Sequence, residues 1–560
     1  MIDNKEAEGD ELVGFSIPFP SEYRISAEVL SGYDKCGVLW TDPIIVPECH
    51  WQPQPQKREI NNPKGKLKII EGVDNYIEIK FYDKGKKQLF EEKKHNAVLF
   101  YKYRKCIHFL PCFDREMINK KRKLSPIYNE LRNFYRIDSE LCNDELLALA
   151  QELECLDYVE YCALASKNKF APRPDDDGPR PYDEARHASP HLPAPWYGDK
   201  DPSFDTPLNG PTPDFTPLQG YLNPGNGMNV RNAWARGATG NGATVRYMGS
   251  GVNPQHEDLI GNITVNSNRP EGNREHGTAG AGCIVAANNG FGVTGIAFGC
   301  RFFFHYNDIH SLDRIMGDLS PGDVIGINLS VGDSIPFPMV LVIEWWDRIN
   351  WCVRAGATVA FAAGNGGVSV RNHPLFNDFG DSGGFMIGAS YPETGRRTSF
   401  SNYNLYSTLN SWGWNVTTLG WGDLQNFDPP NRLYTSAFNG TSSATPLVTG
   451  ALALVLGYAR ARHHLTFNAR QIFEIITQTG GREANGQDIG VRPNVAAALA
   501  RVDEIAGPPP PQYPLWRVGV QYEVGDRVSH LGLNYVCRSR HVSNIGWQPQ
   551  LAVTLWTRIP

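Results

Sequence analysis

The run from Leu447 to Leu456 carries no charged side chain and follows directly on Asn439-Gly440-Thr441-Ser442-Ser443-Ala444-Thr445-Pro446. Such a run reads as a buried helix, because a helix that is apolar all round has to be enclosed by the rest of the fold. A serine at its mouth exposes a hydroxyl while the first backbone N–H groups point outward, which suits an oxygen that attacks a carbonyl and needs developing negative charge to be stabilised. The working atom would be Ser442 Oγ. The same Ser/Thr cluster also reads as an ordinary N-cap, so this stretch alone leaves the matter open.

Apolar strands alternate with helix-length patterns across the middle of the chain: Thr244 to Met248, Val324 to Leu329, Thr358 to Ala362 and Phe385 to Ala389. That alternation predicts a doubly wound parallel sheet with its working groups at the strand ends. In Arg274-Glu275-His276-Gly277-Thr278-Ala279-Gly280, small residues after the histidine let a helix press its backbone on a neighbour. His276 is the candidate general base. Val359 to Gly367 is an apolar strand that runs out into a glycine-flanked amide, Asn365, a candidate oxyanion donor.

In that order and spacing, His276-Gly277-Thr278, then Ala362 to Gly367, then Gly440 to Pro446 resemble the subtilisin and kexin superfamily of serine endopeptidases over about residues 213 to 505. The resemblance implies a subtilisin-like α/β domain, a polypeptide substrate and an acyl-enzyme formed on Ser442. It also implies substrate pairing by Ser330, Val331 and Gly332. The kexin-like branch uses an aspartate to recognise a basic side chain, and Asp378 or Asp381 falls near that position, although both also sit in ordinary turn pairs. The family's turn at His256-Glu257-Asp258-Leu259 supplies a calcium ligand, which makes Asp258 the candidate metal ligand and calcium the candidate cofactor; a solvated turn aspartate is the alternative.

One member of the set is missing. Where the family has its catalytic aspartate, this chain reads Tyr247-Met248-Gly249-Ser250-Gly251, and glycine can neither orient the histidine nor stabilise an imidazolium. Three explanations stand side by side: an aspartate removed from an otherwise intact site, a natural pseudoprotease, or another carboxylate, Glu275 or Asp258, that reaches His276. Glu275 is poorly placed, because adjacent residues on a helix do not face one another. Restoring the acid by Gly249→Asp is expected to raise peptidase activity by several orders of magnitude.

The rest of the chain divides around this domain into residues 1–65, unassigned; 66–170, an α+β region; a Pro- and Asp-rich linker, 171–212; the peptidase-like domain, 213–506; a proline spacer, 507–514; and a tail, 515–560. Tyr76 to Tyr82 alternates like a half-buried strand, Asp144 to Leu153 has helical spacing, and Val159-Glu160-Tyr161 reads as a closing strand. Their order resembles the family's propeptide, which would leave its last strand against the substrate groove and be cut in the linker. The tail holds Trp516, Tyr522, Tyr535, Trp547 and Trp556 and resembles small all-β chitin-binding modules, with Trp516, Tyr522 and Trp547 as the candidate sugar-binding rings.

A net charge of −6 argues against a partner held by phosphate attraction, so no nucleic acid is expected. No run of eighteen apolar residues marks a membrane span, and the acidic stretch Met1 to Asp10 lacks the apolar region of a secretory signal, although the family and the glycan module point outside the cell. Eleven cysteines are an odd count without zinc-ligand spacing; Cys283, Cys300 and Cys352 read equally as small buried hydrophobes. The rival to an endopeptidase is a pseudoprotease adhesin that grips polypeptide or glycan without cutting.

Overall fold

The computed structural model describes residues 30–33, 39–41, 75–82, 107–156, 158–166, 210–268, 273–331, 336–373, 376, 379–427, 431–482, 489–507 and 513–559. Gly332 and Asp378 lie outside the described residues, as do residues 167–209, which include most of the linker, and most of the first 65 positions, where Leu30–Tyr33 and Leu39–Thr41 form an antiparallel pair.

The central sheet has nine strands in the order Gly481–Arg482, Val491–Arg492, Thr408–Trp412, Phe385–Ser390, Thr358–Ala362, Val324–Ile327, Thr244–Gly249, Arg301–Tyr306, Thr264–Val265. All neighbours are parallel except the pair at the Gly481 edge. The four strands read from the sequence are its middle, where β-rich apolar runs are buried on both faces. From Thr244–Gly249 the chain builds first toward the Arg301 edge and then returns to add Val324–Ile327 on the other side. The strand order therefore reverses between Thr244–Gly249 and Val324–Ile327, and ligands of open α/β sheets bind beyond the carboxyl ends at such a switch.

Helix Thr441–His463 runs through the core, with Leu447, Val448, Ala451, Leu452, Leu454 and Val455 fully buried. By length and composition it could cross a membrane, but 94% of its apolar window is enclosed by this domain. Cys283, Cys300 and Cys352 are buried, unbridged thiols, the first two in the core around this helix and the third in the apolar core of Trp345 and Trp351, and burial pushes Cys283 and Cys300 up to about 12.

The N-terminal region forms a four-stranded antiparallel sheet, ordered Ile107–Pro111, Phe134–Ser139, Asn75–Phe81, Val159–Ser166, with helix Asn143–Glu154 packed on it. The alternation over Tyr76 to Tyr82 predicts a half-buried strand; the strand runs Asn75–Phe81 instead, and every residue of it is buried. Ile77, Ile79 and Phe81 face Leu146, Leu149 and Leu153 of the helix in one core. The alternate face, Tyr76, Glu78 and Lys80, docks on helices Ile309–Asp318 and Ile343–Arg354 of the large domain. Arg348 Nη1 donates to Glu78 at 2.9 Å and Arg348 Nε to Asp313 at 2.6 Å; Lys80 Nζ meets Asp347 at 2.7 Å, and the Tyr76 ring stacks on His310. Polar residues on a strand face thus mark a charged interface here, and alternation alone cannot tell it from a wet surface. Tyr161 of the closing strand donates to Asp347 at 3.3 Å, and Phe113, Ile118, Tyr128 and Phe134 share an apolar core with Trp345 and Trp351.

The tail folds as a three-stranded sheet, Arg527–His530, Leu533–Cys537 and Trp556–Ile559, beside a small ladder of Gln521–Tyr522 with His541–Val542.

Candidate active site

Gly440 opens the Ser442 helix with φ +94°, a left-handed conformation that favours glycine, so Thr441 and Ser442 enter the first turn immediately after it. Pro446 sits in the next turn of the helix and brings no N–H, which leaves the Ser442 carbonyl without its helical donor. Asn328, just beyond the strand Val324–Ile327, supplies the missing bond: its Nδ2 donates to Ser442 O at 3.0 Å and to Tyr247 Oη at 2.7 Å. The Ser442 turn is thereby tied to both strands of the switch point.

Asn365 follows the strand Thr358–Ala362. Its Oδ1 accepts from Thr441 N at 2.9 Å and from Thr441 Oγ1 at 3.0 Å, while Thr441 Oγ1 accepts from Gly364 N. A backbone N–H can only donate, so the Asn365 oxygen is the atom turned to Thr441 and the NH2 group is left to face the serine turn. A Cβ built on Gly440 would stand 3.2 Å from Asn365 Nδ2 and 3.5 Å from Ser442 N. A side chain at 440 would therefore crowd both donors, and glycine leaves the space beside them clear.

His276 lies in the first turn of helix Arg274–Val285, capped by Asn273, whose Oδ1 accepts from His276 N at 3.0 Å. The glycines after it do what their size allows. A Cβ on Gly277 would fall 1.7 Å from Gly251 O, and one on Gly280 would fall 1.9 Å from Tyr247 Oη. The helix thus lies directly on the end of the strand that carries Gly249. The His276 ring is 5% exposed, edge-on to Phe438 at 5.6 Å and to Trp421 at 6.5 Å.

At Gly249 the strand alternation puts any side chain on the face shared by Val245 and Tyr247, toward the helices of His276 and Ser442. Phe304 of the neighbouring strand occupies that space: a Cβ at 249 would sit 2.8 Å from its Cε2 and 3.3 Å from Tyr247 Cε1. Among the described residues, Ser250 Oγ lies 3.3 Å from His276 Nδ1. Neither carboxylate proposed from the sequence takes that place. Glu275 Oε2 accepts from Trp421 N at 3.3 Å, and Asp258 accepts from Asn289 Nδ2 at 2.8 Å and Val293 N at 3.0 Å.

Asp258 is fully buried and pushed up to about 6 by that burial. Both of its oxygens face N–H donors, which satisfy a carboxylate but repel a cation, so this arrangement does not fit calcium. Among the described residues no three His, Cys, Asp or Glu side chains converge on one point. Ser330–Val331 forms a two-residue strand against Phe337–Pro338. The Asp381 carboxylate is used by its own turn and a neighbour, accepting from Gly383 N at 2.8 Å and Ser407 Oγ at 2.7 Å.

In the tail, Trp516 and Tyr522 correct their sequence assignment as sugar-binding rings: at 8% and 7% exposed they pack with Val528, Tyr535 and Trp556 as the small core. A module this size has little else to bury. Trp547 is 44% exposed.

Residues 240–497 match the subtilase family. The chain carries a subtilase domain. Residues 515–557 match carbohydrate-binding module family 5/12. The thermostable alkaline protease of Halalkalibacterium halodurans is 31% identical over 263 residues, covering 45% of this chain and 66% of that protein. Furin of Mus musculus is 28% identical over 310 residues, covering 48% of this chain and 36% of furin. The chain thus spans less than two thirds of the length of either relative. Among solved structures, proteases from Pseudoalteromonas arctica align over 53% of this chain and 100% of theirs, at 21% identity and a TM-score of 0.41. Within the subtilase domain, sequence reasoning missed Ser250 and Asn328. The first was legible as a hydroxyl next to the missing acid, and the second as the partner that Pro446, four residues after Ser442, makes necessary.

Proposed function

We propose that the chain is a subtilisin-like serine endopeptidase, attenuated by glycine at 249, that is held to chitin-type glycan by its tail. The observation that carries this reading is the pair of donors, Asn365 Nδ2 and Ser442 N, that the missing side chain of Gly440 leaves uncrowded. A peptide carbonyl attacked by Ser442 Oγ would place its oxyanion there, where both dipoles are fixed before the reaction begins. His276 takes the hydroxyl proton and returns it to the leaving amine. Trp547 offers a ring face to a sugar. Docked through Glu78, Lys80 and Tyr161, the N-terminal domain acts as a propeptide whose cleavage site belongs to the linker 171–212. The acid at the base of a specificity pocket would be Asp378, since Asp381 is spent on its turn.

A fluorophosphonate probe tests the reading. It should label Ser442 in the full chain and not in Ser442→Ala, and the slow hydrolysis of an unstructured polypeptide should vanish with that change. Absence of both labelling and hydrolysis would leave the second reading, a glycan-tethered pseudoprotease, which the filling of the space at Gly249 by Phe304 favours.

A further inference from the structure

We propose that Ser250 is the positioning residue for His276, holding through its hydroxyl the tautomer that a carboxylate would otherwise hold. The inference rests on the endopeptidase reading above. Three distances carry it. Ser250 Oγ is 3.3 Å from His276 Nδ1, Ser250 Oγ donates to Asn273 O at 3.1 Å, and Asn273 Oδ1 in turn accepts from His276 N at 3.0 Å.

A serine hydroxyl has a single proton to give, and a carbonyl oxygen can only accept. With the Ser250 proton committed to Asn273 O, the oxygen presents lone pairs to the ring, and Nδ1 must supply the hydrogen. The proton therefore sits on Nδ1, and Nε2 keeps the lone pair that a general base needs. An amide in the acid's place does the opposite. It can offer N–H to Nδ1 and hold the wrong tautomer, which accounts for a roughly ten-thousandfold loss in the chymotrypsin-type example. A hydroxyl whose own proton is already engaged avoids that trap.

The cluster is also built to stay in place. Ser250 is 3% exposed, Asn253 N donates to Thr278 Oγ1 at 2.8 Å, and Gly277 lets the His276 helix lie against Gly251. The loop 250–253 and the first turn of the helix therefore form one unit, which fixes the backbone that carries the His276 ring beside Ser250.

In the step this serves, the Ser442 O–H bond breaks as Oγ bonds to the substrate carbonyl carbon. The proton goes to His276 Nε2, and the carbonyl π pair becomes the oxyanion between Asn365 and Ser442 N. Collapse breaks the C–N bond, and the proton on Nε2 passes to the leaving nitrogen. Ser250 stays neutral throughout. It fixes orientation but adds no negative charge to stabilise the imidazolium, so turnover stays below that of an enzyme with an acid.

Nitrogen NMR of the full chain, labelled with 15N only in histidine and with His276 assigned by its loss in His276→Gln, reads the tautomer directly. The parent should show Nδ1–H with an unprotonated Nε2. Ser250→Ala should shift the population toward Nε2–H and lower kcat at least tenfold with KM unchanged, and Ser250→Thr, which keeps the hydroxyl, should restore both. An Nε2–H parent, or a parent tautomer indifferent to Ser250→Ala, overturns the proposal. The parent spectrum decides even where Ser250→Ala does not fold. Hydrolysis that survives Ser442→Ala would overturn the endopeptidase reading instead, and the tautomer result would stand apart from it.

Discussion

Placing an aspartate at 249 is the most direct perturbation of this site, and the structure changes what it should do. On sequence alone, Gly249→Asp restores a triad. On the structure, its Cβ would arrive 2.8 Å from Phe304 Cε2, so the ring must withdraw by about 0.6 Å to reach an ordinary contact near 3.4 Å. Phe304 is fully buried, with the Tyr247 ring 6.2 Å away, and has nowhere open to go. Overpacking of this kind costs about 1–3 kcal/mol of stability. In a domain this large that is a melting temperature lower by several degrees. Strain in the fold does not itself raise the reaction barrier, but a displaced carboxylate does: misplacement by about 1 Å can cost roughly a hundredfold in rate. The acid is worth roughly ten-thousandfold in the family's best-studied example. The single variant should therefore gain only about a hundredfold in kcat/KM. Gly249→Asp with Phe304→Val should gain close to the full ten-thousandfold, and should recover most of the lost melting temperature. The assays are hydrolysis of an unstructured polypeptide and thermal unfolding of the three proteins. A double variant no faster than the parent, or a single variant as fast as the double with an unchanged melting temperature, would refute this account of position 249.

Three other outcomes follow from the interface, the tail and the buried turn. Arg348→Met leaves Glu78 and Asp313 buried without their cation, a loss of about 3–5 kcal/mol; hydrogen exchange should show Ile343–Arg354 and Asn75–Phe81 deprotected together, and unchanged exchange would contradict the docking. Trp547→Ala should release the chain from insoluble chitin while its melting is unchanged, whereas Tyr522→Ala should unfold the tail; full retention by Trp547→Ala would remove that ring from the binding face. Because the oxygens of Asp258 are met by N–H donors, Asp258→Asn should leave any effect of a calcium chelator on the melting temperature unchanged, and a chelator-induced fall of several degrees that this change abolishes would show that a cation is bound there.

The sequence showed the sheet, the buried helix and the order of His276, Asn365 and Ser442 because each rests on local signals: apolar runs of strand length, small residues where backbones touch, and a glycine before a helix. What it did not show depends on pairs distant in the chain. Phe304 is 55 residues from Gly249, and nothing in its own surroundings says that it fills the acid's space. In the tail, five aromatics announced a ring-rich module, but which rings face water is set by how the strands close on one another. Trp516 and Tyr522 went inward, and Trp547 stayed out on the surface.

The polar face of Asn75–Phe81 poses the same problem in a form that pH can expose. Glu344 lies buried beside Arg348 and Glu78, and desolvation, with the nearby Glu78 charge adding to it, pushes its carboxyl up to about 8. A carboxyl free in the unfolded chain titrates near 4.3, so the folded protein holds a proton that the unfolded chain releases over most of the range between. Unfolding then releases that proton, and stability falls as pH rises from about 4.3 to about 8, then levels off. Neutral glutamine is close in shape to the protonated acid and has no charge to bury. Glu344→Gln should therefore match the parent near pH 4 and become progressively more stable than it toward pH 8, with the gap constant above that. Melting curves of the two proteins across this range decide the point. A gap that is absent at pH 8, or that closes rather than opens as pH rises, would mean that Glu344 is ionised in the folded chain, and that the contact between the N-terminal sheet and its helices is wetter than its burial implies.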